Sequence, residues 1–392
     1  MRAGGFAALF IFSLLKPAFA EDHCDYRILA FRENNKREHG IVVPPFNDIP
    51  TTAIRLRPTL GITSDSELWS QENRDRLLKL ACDITKKPSA FNKQRANFAR
   101  EAIEAPIAQP RQIVAVGLNY ADHSEEVGID KVVVFPKNLT ITGPYSEIRR
   151  PPGALLDWEV ELAIVVRKKI SRETQITPEN AAEYFAGFVA ANDVTDRVPI
   201  ILDTEHGFSQ GKTHPGFLPV GPYLAPIDNF IAEKRLNPEL DMKLNVNGDI
   251  RQDSNSKRMA NSIPKVLEKI LREADSLWPY ASRKQGKLLP HGELLPGDLI
   301  VTGTPGGTAI QAPGLGKKIG LGLKSLVRRQ NPRWVFVNEQ YCSGAYLRDS
   351  DRVSARIATL GAQENLVVEA EEALEPKVAC SSRAEVRRRL GI

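Results

Sequence analysis

"LLDWEVELAIVV", residues 155–166, decides how the rest of the chain is read. As a strand its side chains alternate, with Trp158, Val160, Leu162, Ile164 and Val166 on one face. The other face carries Asp157, Glu159, Glu161, Ala163 and Val165: three acids, then apolar residues. Acids beside a buried surface need a compensating charge, because an unpaired carboxylate is costly to desolvate.

Around this stretch, short strand-like runs alternate with Gly/Pro turns: "RQIVAVGL", "KVVVFPKN", "YFAGFVAANDV", "MKLNVNGDIRQ", "DLIVTGTPGG", "RVSARIATLG" and "ENLVVEA". The pattern is that of an α+β, β-rich domain with few helices, not of alternating βα units. "PKVLEKILREA" reads as one helix, with Pro264 suited to its first turn. The domain is expected over residues 107–368, with insertions at about 275–290 and 312–344, and a tail at 369–392. Residues 21–106 read as a smaller module with strands "DYRILAF" and "HGIVVPPF". It has an amphipathic helix in "SELWSQENRDRLLKLACDITKK" and a second helix in "KQRANFAREAIEA".

Residues 1–20 are predicted to be a signal peptide: an early Arg2, an apolar run from Gly5 to Leu15, and Ala18-Phe19-Ala20 as the cleavage site. Export to the periplasm or the medium is therefore expected, with no membrane association after cleavage. The chain has 392 residues, 42% hydrophobic and 26% charged, with net charge +5. So small a charge, with no basic patch interleaved with aromatics, argues against nucleic acid. Cys24, Cys82, Cys342 and Cys380 permit two disulfides behind a signal peptide, and three connectivities remain open. No C-x-x-C spacing points to zinc or thiol redox chemistry.

Glu159 and Glu161, two apart on a strand, share a face and repel unless a cation or proton lies between them. Asp193 ends another strand-like run. Three carboxylates without Cys or His form a hard oxygen site for Mg2+, Mn2+ or Ca2+; an acid-decorated solvent edge would give the same spacing. In "NYADHSEEVG", Asn119 or Asp122 could cap a short helix on which His123 and Glu126 meet at i, i+3. Such a pair suits a general base, though a surface helix can carry one by chance. "TGTPGG", 302–307, is a tight turn able to approach a ligand, without phosphate-loop spacing. Lys212 sits among glycines and prolines.

Seven blocks in one order resemble the fumarylacetoacetate hydrolase family, in particular its acylpyruvase and oxaloacetate decarboxylase branch. They are "IVAVGLNYADH", "LLDWEVELAIVV", "GFVAANDVTDR", "GKTHPGFLPVGPYLAP", "LNVNGDIRQDSNSKRMANSI", "LLPGDLIVTGTPGG" and "LRDSDRVSARIATLGAQENLV". The resemblance implies a mixed β-sandwich roll, usually dimeric, acting on a small keto acid. It implies Glu159, Glu161 and Asp193 as ligands of one Mg2+ or Mn2+, and His123 and Glu126 as the catalytic dyad. It implies Lys212 as a catalytic lysine, and Arg197 and Thr304 as substrate contacts. Three activities follow as alternatives: hydrolysis of a C–C bond in an acylpyruvate-like acid, oxaloacetate-type decarboxylation or keto–enol isomerisation, and carboxylate binding without turnover. The chain departs from the family pattern at Asp196, Val198 and Ile200, where Ala, Asp and a substrate-touching Gln are usual, and at Ser256-Lys257-Arg258-Met259. The ligands and dyad are kept while their surroundings change, which implies an unusual substrate.

Overall fold

Strand Val160–Val166 is buried along its whole length and lies in the middle of an eleven-stranded sheet. It pairs antiparallel with Phe185–Asn192 on one side and with Leu299–Val301 on the other. Leu299–Val301 runs parallel to Ile113–Gly117, and Val133–Pro136 closes that edge. In the other direction the order continues through Val220–Pro226, Arg27–Glu33, Lys36–Val42, Thr52–Arg55 and Arg95–Asn97. The residues before 107 therefore extend the same sheet. In this computed structural model the described residues are 24–370, apart from 69, 130, 205–206, 232–235, 280–284 and 329–330. The signal segment, Cys380 and all but the start of the 369–392 tail lie outside them.

A second, five-stranded sheet is ordered Asp249–Asn255, Asp241–Val246, Arg352–Ile357, Gly361–Glu369 and Ile148–Arg150. Its Met242, Leu244, Val353 and Ile357 pack with Leu162 and Ile164. On the opposite face, Ala163 and Val165 join Leu77, Leu80 and Ile84 of helix Gln71–Lys86. The two packings explain why both faces of the quoted stretch turn apolar. Each such buried Val, Leu or Ile stabilises the fold by roughly 1.5–3 kcal/mol relative to leaving it exposed. The architecture is α+β and β-rich.

Three local expectations are corrected. The stretch 155–166 is not one strand: Leu156–Asp157 pairs with Thr195–Asp196, and pairing resumes only at Val160. Asp157 accepts the Trp158 backbone N–H (2.8 Å) and Glu159 donates its N–H to Asn192 Oδ1 (3.0 Å), so side chains take up these two amides at the break, while the Glu159 carbonyl still accepts the Asp193 N–H (2.8 Å). "KQRANFAREAIEA" forms no α-helix. Arg95–Asn97 adds to the edge strand Thr52–Arg55, and Ile103–Glu104 pairs with Arg27–Glu33, so sheet pairing overrides helix propensity. The helix expected from "SELW" onward divides at Ser70, whose hydroxyl caps Gln71–Lys86 by accepting the Asn73 N–H.

Cys24 and Cys82 form a disulfide that ties the first described residue to helix Gln71–Lys86; Cys342 is exposed. Residues 312–344 contain a hairpin of two helices, Leu315–Arg328 and Pro332–Ser343. Among the described residues no helix is long and apolar enough to cross a membrane.

Candidate metal centre and catalytic dyad

The charged site forms where the central strands begin or end. Glu159 and Glu161 flank the start of Val160–Val166, and Asp193 directly follows Phe185–Asn192, its antiparallel neighbour. Antiparallel pairing thus brings together acids more than thirty positions apart in sequence. All three are buried, and one carboxylate oxygen from each lies within 4.8 Å of the others.

Cations neutralise two of the three. Glu159 accepts from Arg197 Nη2 at 2.6 Å and from Lys212 Nζ at 2.6 Å. Lys212 Nζ also reaches Asp193 Oδ2 at 2.9 Å and Thr195 Oγ1 at 2.8 Å. Lys137 donates to the other Asp193 oxygen. Burial works to raise the Glu159 carboxyl, but Lys212 and Arg197 hold it below its ordinary value. Glu161 differs. Among the described residues it has no cation in contact, only the Gly303 N–H at 2.5 Å, and burial with the charges of Asp193 and Glu159 pushes its carboxyl well up. A buried carboxylate facing two others and lacking a cation is what a divalent ion compensates, and the donors are all hard oxygens. The residues present therefore fit Mg2+ or Mn2+; nothing in the donor set selects between them.

His123 and Glu126 lie on the short helix Ala121–Val127, which ends at Gly128 in the left-handed conformation. His123 Nδ1 is 3.2 Å from Glu126 Oε2. Glu126 Oε1 accepts the Gly307 N–H at 2.7 Å, and Oε2 accepts the Thr308 hydroxyl at 3.2 Å. Half-burial favours the neutral acid, but these hydrogen bonds keep Glu126 below its ordinary value and hence ionised. Gly307 must be glycine: its φ is +101°, and a Cβ there would lie 2.0 Å from the Arg251 carbonyl oxygen. Neither Asn119 nor Asp122 caps the helix, whose N-cap is Tyr120 without a side-chain bond. Asn119 instead donates to the Thr302 carbonyl (2.9 Å) and accepts the Asn261 N–H (2.9 Å), tying the helix start to the 302–308 turn.

His123, Glu159, Glu161, Arg197, Lys212 and Thr304 all line one cavity of about 560 Å3. Thr304 is fixed by donating to the Val160 carbonyl (3.1 Å) and accepting from Gln252 Nε2 (2.8 Å). Arg197 is also held by Asp157 Oδ2 at 2.8 Å, so its guanidinium bridges two acids. Asp196, at the N-cap of helix Arg197–Leu202, accepts the Val198 and Leu155 N–H groups, yet burial raises its carboxyl to about 6. The sequence reading missed Lys137, Gln252 and Thr308. Lys137 follows an apolar strand into an Asn-Leu-Thr loop, where a lysine ordinarily points to solvent.

Buried acids that fit a divalent ion thus stand beside an oriented His–Glu pair on one cavity. The chain belongs to the fumarylacetoacetate hydrolase family: the family model for the fumarylacetoacetate (FAA) hydrolase C-terminal domain matches residues 112–368. It is 33% identical over 211 residues to the mitochondrial oxaloacetate tautomerase Fahd2a of Rattus norvegicus, covering 53% of this chain and 59% of that protein. It is 33% identical over 220 residues to a 2,4-didehydro-3-deoxy-L-rhamnonate hydrolase of Sphingomonas sp. (strain SKA58), covering 54% and 66%. The chain thus spans about three fifths of the length of such curated relatives. The fold is that of the fumarylacetoacetate hydrolase of Exiguobacterium antarcticum, with TM-score 0.57 and 23% identity over 88% of this chain and 100% of that one.

Proposed function

We propose that the protein hydrolyses a β-diketo, acylpyruvate-like acid at the C–C bond between its remote carbonyl carbon and the adjacent methylene. The observation that carries this reading is the His123–Glu126 pair, held by Gly307 and Thr308 over the cavity that Glu159 and Glu161 line. Pure carboxylate binding would not need a base aligned in this way.

Glu159, Glu161 and Asp193 hold the divalent ion in this reading. When bound, the ion polarises the substrate carbonyl and stabilises negative charge on its oxygen. Ionised Glu126 fixes the tautomer with Nδ1–H toward itself, leaving His123 Nε2 to take a proton from water. The resulting hydroxide attacks the remote carbonyl. The C–C bond breaks with its electron pair passing to the pyruvate side as an enolate, which takes up a proton to give pyruvate. The acyl part leaves as a carboxylic acid. Lys212 and Arg197 line the same cavity, and in this reading they offset the negative charge that gathers on the substrate's oxygens.

The Cys24–Cys82 disulfide supports an oxidising compartment as the place of action, as the signal-like N-terminus does. Keto–enol tautomerisation is a second reading, supported by the named activity of the rat relative. The same His123 could pass a proton between carbon and oxygen without water attack. Incubating 2,4-dioxo acids and, separately, oxaloacetate with the protein and Mg2+, with and without EDTA, separates the readings. Stoichiometric pyruvate supports hydrolysis. Accelerated ketonisation of oxaloacetate without pyruvate, or CO2 release, replaces it.

A further inference from the structure

The cavity has two ends of opposite character. Its inner end holds His123, Glu159, Glu161, Arg197, Lys212 and Thr304; beyond them the lining turns apolar. From the main domain come Val127, Ile129, Ile200, Ile201, Phe208 and Ile310. The outer wall comes from the hairpin, through Leu321 on its first helix and Pro332 and Phe336 on its second. Leu321 and Phe336 are buried, in one cluster with Leu155, Ile201, Ile310 and Val335 that is separate from the main cores. Charge returns with Lys318 and Arg333, both exposed, and Arg333 donates to the Leu202 carbonyl, which docks the hairpin on helix Arg197–Leu202. A volume of about 560 Å3 lies in the range that holds drug-sized ligands, well beyond a four-carbon keto acid.

We infer that the 315–343 hairpin makes this site selective for keto acids with a long or aryl apolar acyl group, with Leu321 and Phe336 as specificity-determining residues. The inference rests on the proposed reaction class only for where the keto-acid head sits. The tail then runs away from the charged cage along Ile200 and Ile201 to Leu321 and Phe336. Each methylene that leaves water for this lining should strengthen productive binding roughly fourfold, until the cavity is filled. A small dicarboxylate gains nothing from it.

The test uses the full chain with Mg2+ and a series of 2,4-dioxo acids from acetylpyruvate to decanoylpyruvate. The value of kcat/KM is read from loss of the diketo absorbance. In parallel, calorimetric titration with non-cleavable 2-oxo acids of the same chain lengths gives Kd without turnover. Both should improve by about tenfold or more from the short to the medium chains. Leu321→Ser should lower the long-to-short ratio several-fold, whereas Leu323→Ser, on the exposed side of the same helix, should leave that ratio as it is. A flat profile in both measurements overturns the inference, as does an unchanged ratio in folded Leu321→Ser. If that variant does not fold, the profile of the unaltered protein decides. Steep chain-length dependence of binding without turnover upholds the tail pocket and removes the hydrolase reading; turnover with flat profiles does the reverse.

Discussion

At the inner end of the cavity the charged groups stand on or beside strand ends, whereas at the outer end the wall is a helical hairpin. Glu159, Glu161 and Asp193 are at most 3% exposed and locked by ion pairs and backbone donors. The hairpin adheres through a small apolar cluster and shows Leu323, Leu326 and Val327 to solvent. The charged groups are thus fixed by the ends of the buried central strands, while the wall across the cavity is held by a smaller cluster of its own.

Several changes would break or sharpen this contrast. The largest effect is expected from Glu161→Gln, which keeps the Gly303 hydrogen bond but removes the one carboxylate without a cation. Activity should fall by roughly a thousandfold or more, with Mn2+ affinity, measured by electron paramagnetic resonance, falling alongside. Retained affinity would show that the ion is not held by this cage. Glu126→Ala should cost roughly a hundred- to a thousandfold in kcat with Mn2+ affinity unchanged. Unchanged turnover would remove the dyad from the chemistry.

Lys137→Met leaves Asp193 without one of its two cations in a buried setting. A loss of roughly 3–5 kcal/mol is expected in denaturant titrations without metal, and a smaller loss with saturating Mg2+, because the ion replaces part of the missing charge. Equal losses in both conditions would mean that Lys137 serves packing alone. The smallest effect belongs to Asp196→Asn. Asp196 has its carboxyl raised by burial from 3.8 to about 6, so its ionisation opposes folding. The cost is fully present above about pH 6 and fades as pH falls toward the ordinary carboxyl value. Asn keeps an acceptor for the Val198 and Leu155 N–H groups. It should therefore stabilise the protein by at most about 3 kcal/mol at pH 8 and by almost nothing at about pH 3. A gain independent of pH would refute the burial argument.

The contrast also marks what could be read from sequence. Glu159 and Glu161 were legible because strand periodicity puts them on one face, and His123 with Glu126 because a helical turn brings i and i+3 together. These are short-range rules, and they hold in the paired core. Lys137 was not legible, since its partner Asp193 is 56 positions away and only the sheet order brings them together. The double packing of Ala163 and Val165 was visible as apolar character, but the partner helix Gln71–Lys86 was not. "KQRANFAREAIEA" has helical spacing, yet its neighbours offered open strand edges to Arg95–Asn97 and Ile103–Glu104. Asp157 could be grouped with the other acids but not assigned to Arg197, because the break in pairing at Trp158 leaves no periodic trace.

Arg27–Glu33 pairs with Val220–Pro226 at Ile28 and Leu224, two strands away from the acidic cage. The family match starts only at Gln112, yet a polypeptide begun there would bare the amides of Val220–Pro226 along an open, apolar sheet margin. Such a margin invites other chains to add strands and precipitate. The residues before the matched region thus act as a guard rail along that margin, and trimming the protein to its recognisable homology would also strip helix Gln71–Lys86 from Ala163 and Val165.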